Sequence, residues 1–404
     1  MVIPRPICPL NGFTDRCFME FNPGHITYVS RQQGSSILVW IGQINRYIIL
    51  EEPAFWVFQQ IAGNTETHEI ISGCSERYRL RKQEAEAFTE GIRTRLESLY
   101  IEYQEPEDRK EPLSGLSVPT GYASQHQFEM AGREMMISFG DQHLSALIYP
   151  IFSHLEVPST DGEVDLNLEI FRQEDRLYMI INRQEALSWS LAEVNLLRGV
   201  LYMKVLEMIH HTLAGEWMGV IHASTIFKGD QALMFPGGPG DGKSTIAALL
   251  MAHGCGLVAD DFTPVGGKGS RVYPFPGRIS VKEGALAVLQ PYFPELKQTG
   301  KRDPHTGKGG AWLTPRNTEI PINKGYAVRA ILFVKYQKSW DCELKPIEPM
   351  EEINHFLRES WLENRPRTAE QFMEWFFRTP CYVLHYGDSE KAVKSVLTLL
   401  NHVP

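Results

Sequence analysis

The sequence predicts an α/β protein: a large α/β domain preceded by a small α+β module of winged-helix-like type. Three observations predict this. Residues 231–253 read as strand, glycine-rich loop and helix in succession. Residues 25–100 read as three short strands followed by three helices. Between these two regions runs a polar, proline-bearing stretch with linker composition. The domains that follow are a module over 1–103, a linker over 104–120 and an α/β domain over 121–404, whose core is 220–404.

The elements follow in chain order. Apolar alternation over 25–30 and 36–41, and again over 47–50, gives three strands. Residues 51–62 carry Phe55, Val57, Phe58 and Ile61 at helical spacing and stop at Gly63-Asn64. A second short helix is expected over 67–74. A third, over 82–100, has Ala85, Phe88, Ile92, Leu96 and Leu99 near helical spacing. Strand-like runs at 134–138 and 176–181 precede a helix from about 190 to 213. Strands are then expected at 221–226, 231–235, 256–260, 328–335 and 382–386. Helices are expected at 244–253, across 350–377 and over 389–401.

Composition narrows the function. The chain has 404 residues, enough for two or three domains, and a net charge of −9, which speaks against general nucleic-acid affinity. No apolar run approaches the ~20 residues of a membrane span, and the N-terminal Met1-Val-Ile-Pro-Arg-Pro6 is too proline-broken for a signal peptide. The six cysteines are scattered, with no C-x-x-C pair, so metal clusters and disulfides are not expected. The expectation is a reduced, cytoplasmic protein with no membrane or nucleic-acid partner.

The chemistry centres on Gly237-Gly238-Pro239-Gly240-Asp241-Gly242-Lys243-Ser244-Thr245, which fits the phosphate-binding pattern G-x-x-x-x-G-K-[ST]. Its glycines let backbone N–H groups turn around phosphate oxygens, and the helix that follows adds its positive end. Lys243 would reach the β/γ-phosphates, and the Ser244 hydroxyl would join Mg²⁺. Asp260 and Asp261 end the next strand. Phosphoryl transfer needs one carboxylate for the metal and a group to accept the nucleophile's proton. A strand sends neighbouring side chains to opposite faces, so both aspartates share a site only if the strand ends there. His222 lies in the alternating segment Ile221-His-Ala-Ser-Thr-Ile226, just before the loop's own strand.

His222, the glycine-rich loop and Asp260-Asp261 together resemble the HPr kinase/phosphorylase family and its looser kinase relatives. Those proteins carry a histidine on a hairpin strand, a loop ending in Gly-Lys-Ser and an Asp-Asp pair after the next strand. The segment Val272-Tyr-Pro-Phe-Pro-Gly-Arg278-Ile-Ser-Val-Lys282 is similar to their PFPRP-x-S-L-K run. The resemblance covers roughly 121–404 and is densest at 220–285. It implies a P-loop kinase domain akin to phosphoenolpyruvate carboxykinase, with ATP and Mg²⁺ as cofactors, acting on a serine or threonine hydroxyl. It casts Asp260 as general base, Asp261 with Ser244 as metal ligands, although the two aspartates could trade roles. His222 and Lys243 complete the catalytic set, and Arg278, Lys282, Lys308 and Arg316 are substrate or phosphate contacts. Thr245 stands where bacterial HPr kinases have Glu, Phe262 where they have Arg, and their Asn-x-Arg-Leu signature is absent. Those differences point away from HPr and toward relatives that phosphorylate precursor peptides of ribosomal natural-product pathways.

Residues 47–71 are similar to PqqD-like precursor-recognition modules, which share an apolar strand, an x-x-P-A-x-x-x-W/F-x-x-I-x-G helix and a second helix beginning T-x-x-E-I. Such modules take a leader peptide as an added strand. The resemblance therefore implies a peptide serine kinase whose N-terminal module holds the leader, with homo-oligomerisation open. Two alternatives stand beside it: a kinase of a folded protein or small hydroxyl compound, and a nucleotide-binding switch that transfers nothing.

Overall fold

The structure, a computed structural model, describes residues 21–103, 109–160, 162–212, 214–267, 269–298, 310–316 and 322–402. It is a mixed α/β protein. The N-terminal elements are β1 (Tyr28–Gln33), β2 (Ser36–Ile41), β3 (Arg46–Glu51), α1 (Glu52–Ala62), α2 (Thr67–Tyr78) and α3 (Lys82–Ile101). The strands form an antiparallel meander in the order β1-β2-β3. Pro53 opens α1, where a missing N–H costs nothing, and Asn64 ends the turn after it with φ +57°. The second helix runs one turn beyond the expected stop near Cys74. The buried stripe Ile70–Cys74 continues to Tyr78, whose ring meets Trp56 edge-on at 6.1 Å, and Arg79 then breaks the helix in a left-handed conformation.

Both faces of the three-stranded sheet are buried, which its alternation dictates. Ile37, Val39, Ile41 and Ile48 pack on Val57, Phe58, Ile61 and Ile70 of the module's own helices. Leu38, Trp40 and Tyr47 join the core of the larger part. There the Tyr47 ring stands edge-on to Phe372 at 5.5 Å. Asn45 accepts from Trp40 Nε1 at 2.8 Å and donates to the Leu362 carbonyl at 3.3 Å.

A second sheet follows, built from β4 (Lys110–Glu111), β5 (Ser124–Met130), β6 (Arg133–Phe139), β7 (Glu156–Val157), β8 (Leu166–Gln173), β9 (Arg176–Ile181) and β10 (Glu185–Ser190). Its order is β4-β10-β9-β8-β6-β5-β7, and β6 and β8 are its parallel pair. Helices α4 (Gln142–Phe152) and α5 (Val194–His210) pack on it. Within the segment expected as linker, Lys110 and Glu111 pair with β10.

The third sheet has ten strands: β11 (Trp217–Ile221), β12 (Ala223–Lys228), β13 (Gln231–Pro236), β14 (Gly256–Ala259), β15 (Thr263–Gly266), β16 (Arg271–Val272), β19 (Tyr326–Tyr336), β20 (Cys342–Ile347), β21 (Ser360–Leu362) and β22 (Cys381–Tyr386). A separate hairpin is made by β17 (Ile279–Lys282) and β18 (Gly310–Leu313). At the centre β13, β19 and β22 run parallel. Helices α6 (Lys243–Ala252) and α10 (Ser389–His402), with α7 (Glu283–Leu289) beside them, share one buried cluster; α8 (Pro349–Arg358) and α9 (Pro366–Arg378) share the other with α5. The zone expected as helical over 350–377 holds α8 and α9, and between them Ser360–Leu362 pairs with β11 before Pro366 starts α9 at its first turn. Among the described residues no helix is long and apolar enough to cross a membrane.

Candidate functional site

The glycine-rich loop lies between β13 and α6, at the carboxyl ends of the parallel strands β13, β19 and β22, where α/β sheets leave a crevice. The structure accounts for its last glycine. Gly242 has φ +95°, and a Cβ there would stand 2.5 Å from the Tyr386 hydroxyl. That hydroxyl donates to the Gly242 carbonyl at 3.1 Å. Asp241 accepts from the Gly238 N–H at 2.6 Å, and Lys243, 5% exposed, donates to the Gly237 carbonyl. Helix α6 is apolar on every side, with Ile246, Ala247, Ala248, Leu249, Leu250 and Met251 all buried, so the loop rests on a fixed base.

The aspartates part company because β14 ends at Ala259 and Asp261 takes a left-handed turn, φ +61°, which aspartate tolerates. Asp260 turns inward, where its Oδ1 accepts from Ser244 Oγ at 3.0 Å and from Ser224 Oγ. Asp261 turns outward, 48% exposed, and its Oδ1 accepts from His222 Nε2 at 3.0 Å, with Lys243 Nζ 3.8 Å away. Burial, reinforced by the neighbouring Asp261 charge, pushes Asp260 well above the usual carboxylate range. Burial works in the same direction on Asp261, but His222 and Lys243 outweigh it and hold that carboxyl below the usual range.

His222 does not lie within a strand, as its alternating neighbours suggest; it occupies the bend between β11 and β12. It is held by Glu359, the residue between α8 and β21. The His222 N–H donates to the Glu359 carbonyl at 2.6 Å, and its Nδ1 stands 2.6 Å from Glu359 Oε2. The imidazole thus bridges two carboxylates. Burial lowers its pKa, but the hydrogen bonds to Asp261 and Glu359 win and push it up to about 9. Near neutral pH the ring is an imidazolium, both nitrogens donating. Glu359 is held below its ordinary value by that ring, against its own burial.

Five of the expected residues therefore meet: His222, Lys243, Ser244, Asp260 and Asp261. Of the two aspartates, whose order was left open, Asp260 meets Ser244, and the left-handed turn aims Asp261 at His222. Arg278 and Arg316 are engaged elsewhere. Arg278 donates to Ser153 Oγ at 2.9 Å and to the Trp312 carbonyl at 2.8 Å, pinning β18 to the end of α4. Arg316 donates to the Tyr292 carbonyl and lies 4.2 Å over the Phe293 ring. Lys282 is exposed at the end of β17, and Lys308 lies outside the described residues. Sequence reasoning missed Ser224 and Glu359. Ser224 follows His222 by two positions and could have been found from that spacing; Glu359, 137 positions away, carries no local signal.

The donor set suits a hard cation. Ser244 Oγ and Asp260 Oδ1 form an oxygen pair, and among the described residues no group of three or more His, Cys, Asp or Glu could hold a metal by itself. One carboxylate and one hydroxyl, completed by phosphate oxygens and water, is how Mg²⁺ is commonly bound. Beside that pair stand a buried ammonium able to meet an anion and an exposed carboxylate able to accept a proton. No protein-family model matches the chain, and comparison with curated proteins finds no match.

Proposed function

We propose that this chain is a P-loop kinase of the HPr-kinase-related type, which transfers the γ-phosphoryl group of ATP to a serine or threonine hydroxyl of a precursor peptide. The observation that carries this reading is the division of labour between the two aspartates: one buried against Ser244, the other exposed against His222. A switch that holds nucleotide needs the first and has no use for the second.

The roles follow from the contacts. Ser244 and Asp260 would hold Mg²⁺ and Asp261 would receive the acceptor proton, so the two aspartates trade the roles first expected of them. Bound there, Mg²⁺ would supply positive charge to offset that of the phosphates. Lys243 exchanges the Gly237 carbonyl for the β/γ-phosphates. The new bond forms from the acceptor oxygen to phosphorus; the bond to the leaving oxygen breaks, its electron pair stays on ADP, and the hydroxyl proton passes to Asp261. A depressed carboxyl serves here because the transition state is loose and the proton leaves late. The imidazolium of His222, locked by Glu359, orients Asp261.

In this reading residues 1–103 are the PqqD-like, winged-helix-like peptide-recognition module and 121–404 the kinase domain of a cytoplasmic protein, joined by 104–120, of which Lys110–Glu111 adds a strand to the second sheet. The outer edge of β3 has no strand partner among the described residues, which supports peptide addition there. The test is purified protein with Mg²⁺, ATP and the short peptides encoded beside its gene, read by mass spectrometry. One phosphate gained on a peptide Ser or Thr, and lost in Asp261→Asn, is the expected result. Nucleotide binding with no transfer to any such peptide would sink the peptide-kinase reading and favour the switch.

A further inference from the structure

The glycine-rich loop has two unlike flanks, and the strand order of the third sheet separates them. Strand β13, which feeds the loop, lies between β12 and β19. Beyond β12 comes β14; β12 runs against both, so β14 points the same way as β13 and delivers Asp260 and Asp261 just past its end. On the other flank β19 and β22 run parallel to β13 and end at Tyr336 and Tyr386. The carboxylates therefore stand on one side of the loop and two tyrosines on the other. Tyr386 is fully buried, and its hydroxyl is engaged by the Gly242 carbonyl. Tyr336 is the one exposed aromatic among the described residues, 41% exposed. Its stem abuts the loop: a Cβ on Gly242 would stand 3.1 Å from the Tyr336 Cβ. Its ring meets that of Tyr386 at 5.3 Å, with 63° between the planes. The backbone beyond it is fixed. The Gln337 N–H donates to the Tyr386 carbonyl at 2.9 Å, the Trp340 N–H to the Gln337 carbonyl at 2.9 Å, and the Gly387 N–H to the Asp341 carbonyl at 2.8 Å. Gly387 permits that close packing, since a Cβ there would stand 2.3 Å from the Trp340 carbonyl oxygen. Tyr336 is thus an exposed ring on a fixed strand end, beside the phosphate-binding loop.

We infer that Tyr336 is a base-binding residue of the proposed kinase, its ring stacking on the adenine of ATP. The inference deepens the kinase reading and rests on it. Asp260 and Asp261 draw the terminal phosphate and its metal toward the β14 flank, so the ribose and base leave the loop on the opposite side, toward β19 and β22. The exposed ring on that side is Tyr336. Its π face suits a flat heterocycle, and a side chain already held by Tyr386 loses little freedom when the base arrives. Stacking of this kind reads the face of a base and not its edge.

The experiment uses the full chain and calorimetric binding of MgADP and of magnesium pyrophosphate, which offers the same two phosphates without a base. Wild type is expected to bind MgADP more tightly than pyrophosphate. Tyr336→Ala should lose about tenfold in affinity for MgADP, the scale of one base–aromatic stack, and bind pyrophosphate within about twofold of wild type. Retained pyrophosphate binding also shows that the alanine variant is folded. Tyr336→Phe, which keeps the ring, should bind both ligands as wild type does. Unchanged MgADP affinity in Tyr336→Ala would overturn the inference. So would an equal loss for both ligands, because the ring would then be propping the loop, and so would a loss in Tyr336→Phe as large as in Tyr336→Ala. Wild type that binds pyrophosphate as tightly as MgADP would overturn the inference while leaving the kinase reading intact. Wild type that binds neither would bring down the kinase reading and this inference with it.

Discussion

Replacing Glu359 by Gln tests whether the imidazolium at the site is built by its two carboxylates. The substitution keeps an acceptor for His222 Nδ1 and removes a charge 2.6 Å away. His222 is 37% exposed, so a water-like dielectric sets the lower bound: Coulomb's law then gives about 1.6 kcal/mol at that distance, or about 1 pH unit. His222 in the intact protein is pushed up to about 9. In Glu359→Gln it should titrate at least about 1 pH unit lower. The direction for stability follows. A folded-state pKa above the free value gives stabilisation that is complete below about 6.5 and lost as pH rises through about 9. The stability gap between wild type and Glu359→Gln should therefore be largest in mild acid and vanish in strong base. The assay is an NMR titration of the His222 ring, with denaturant unfolding at several pH values. A wild-type ring that titrates near 6.5, or one that Glu359→Gln leaves unmoved, would refute the bridged-imidazolium argument.

Other outcomes follow from the same geometry. Lys243→Met should weaken MgATP binding at least about tenfold, since a charge-assisted hydrogen bond is worth about 1.5–3 kcal/mol, as read by isothermal calorimetry. Asp261→Asn should lower phosphoryl transfer by about 10²–10⁴ with nucleotide binding intact, whereas Asp260→Asn should raise the Mg²⁺ concentration needed; equal effects from both would contradict the division of roles. Because burial raises Asp260, Mg²⁺ binding should release a proton and strengthen as pH rises, seen by calorimetry in buffers of different ionisation enthalpy. Tyr47→Phe removes a buried hydroxyl that has no hydrogen-bond partner and should stabilise the protein by about 1 kcal/mol in denaturant unfolding; marked destabilisation would mean that the hydroxyl is satisfied.

Legibility in the sequence tracked locality. The loop, its strand and helix, and the nearby Asp260-Asp261 and His222 were readable because spacing along one chain segment encodes their meeting. The three-strand, three-helix order of the first module was readable for the same reason. What each aspartate does was not: that turns on one backbone angle, the left-handed φ of Asp261, and nothing in Ala-Asp-Asp-Phe dictates it. Glu359 ends an amphipathic helix and reads as a solvated charge until the β21–β11 pairing brings it to His222. In the second sheet, β5, β8, β10 and α4 went unread. In β8 and β10 burial on both faces erases the alternation, and Pro150 sits inside the α4 pattern.

If the β1-β2-β3 sheet held a peptide as proposed, its two-faced burial would make the N-terminal module a ruler. A recognition module on a loose tether would sample every acceptor within reach, and linker length would set the odds. This sheet cannot swing away without stripping Leu38, Trp40 and Tyr47 from the core they share with Phe372. A peptide held on it would start from a fixed origin, so the residue reaching Asp261 would be chosen by counting along the peptide. Lengthening or shortening the peptide between its anchor and its acceptor would then shift the modified position rather than merely slow the reaction.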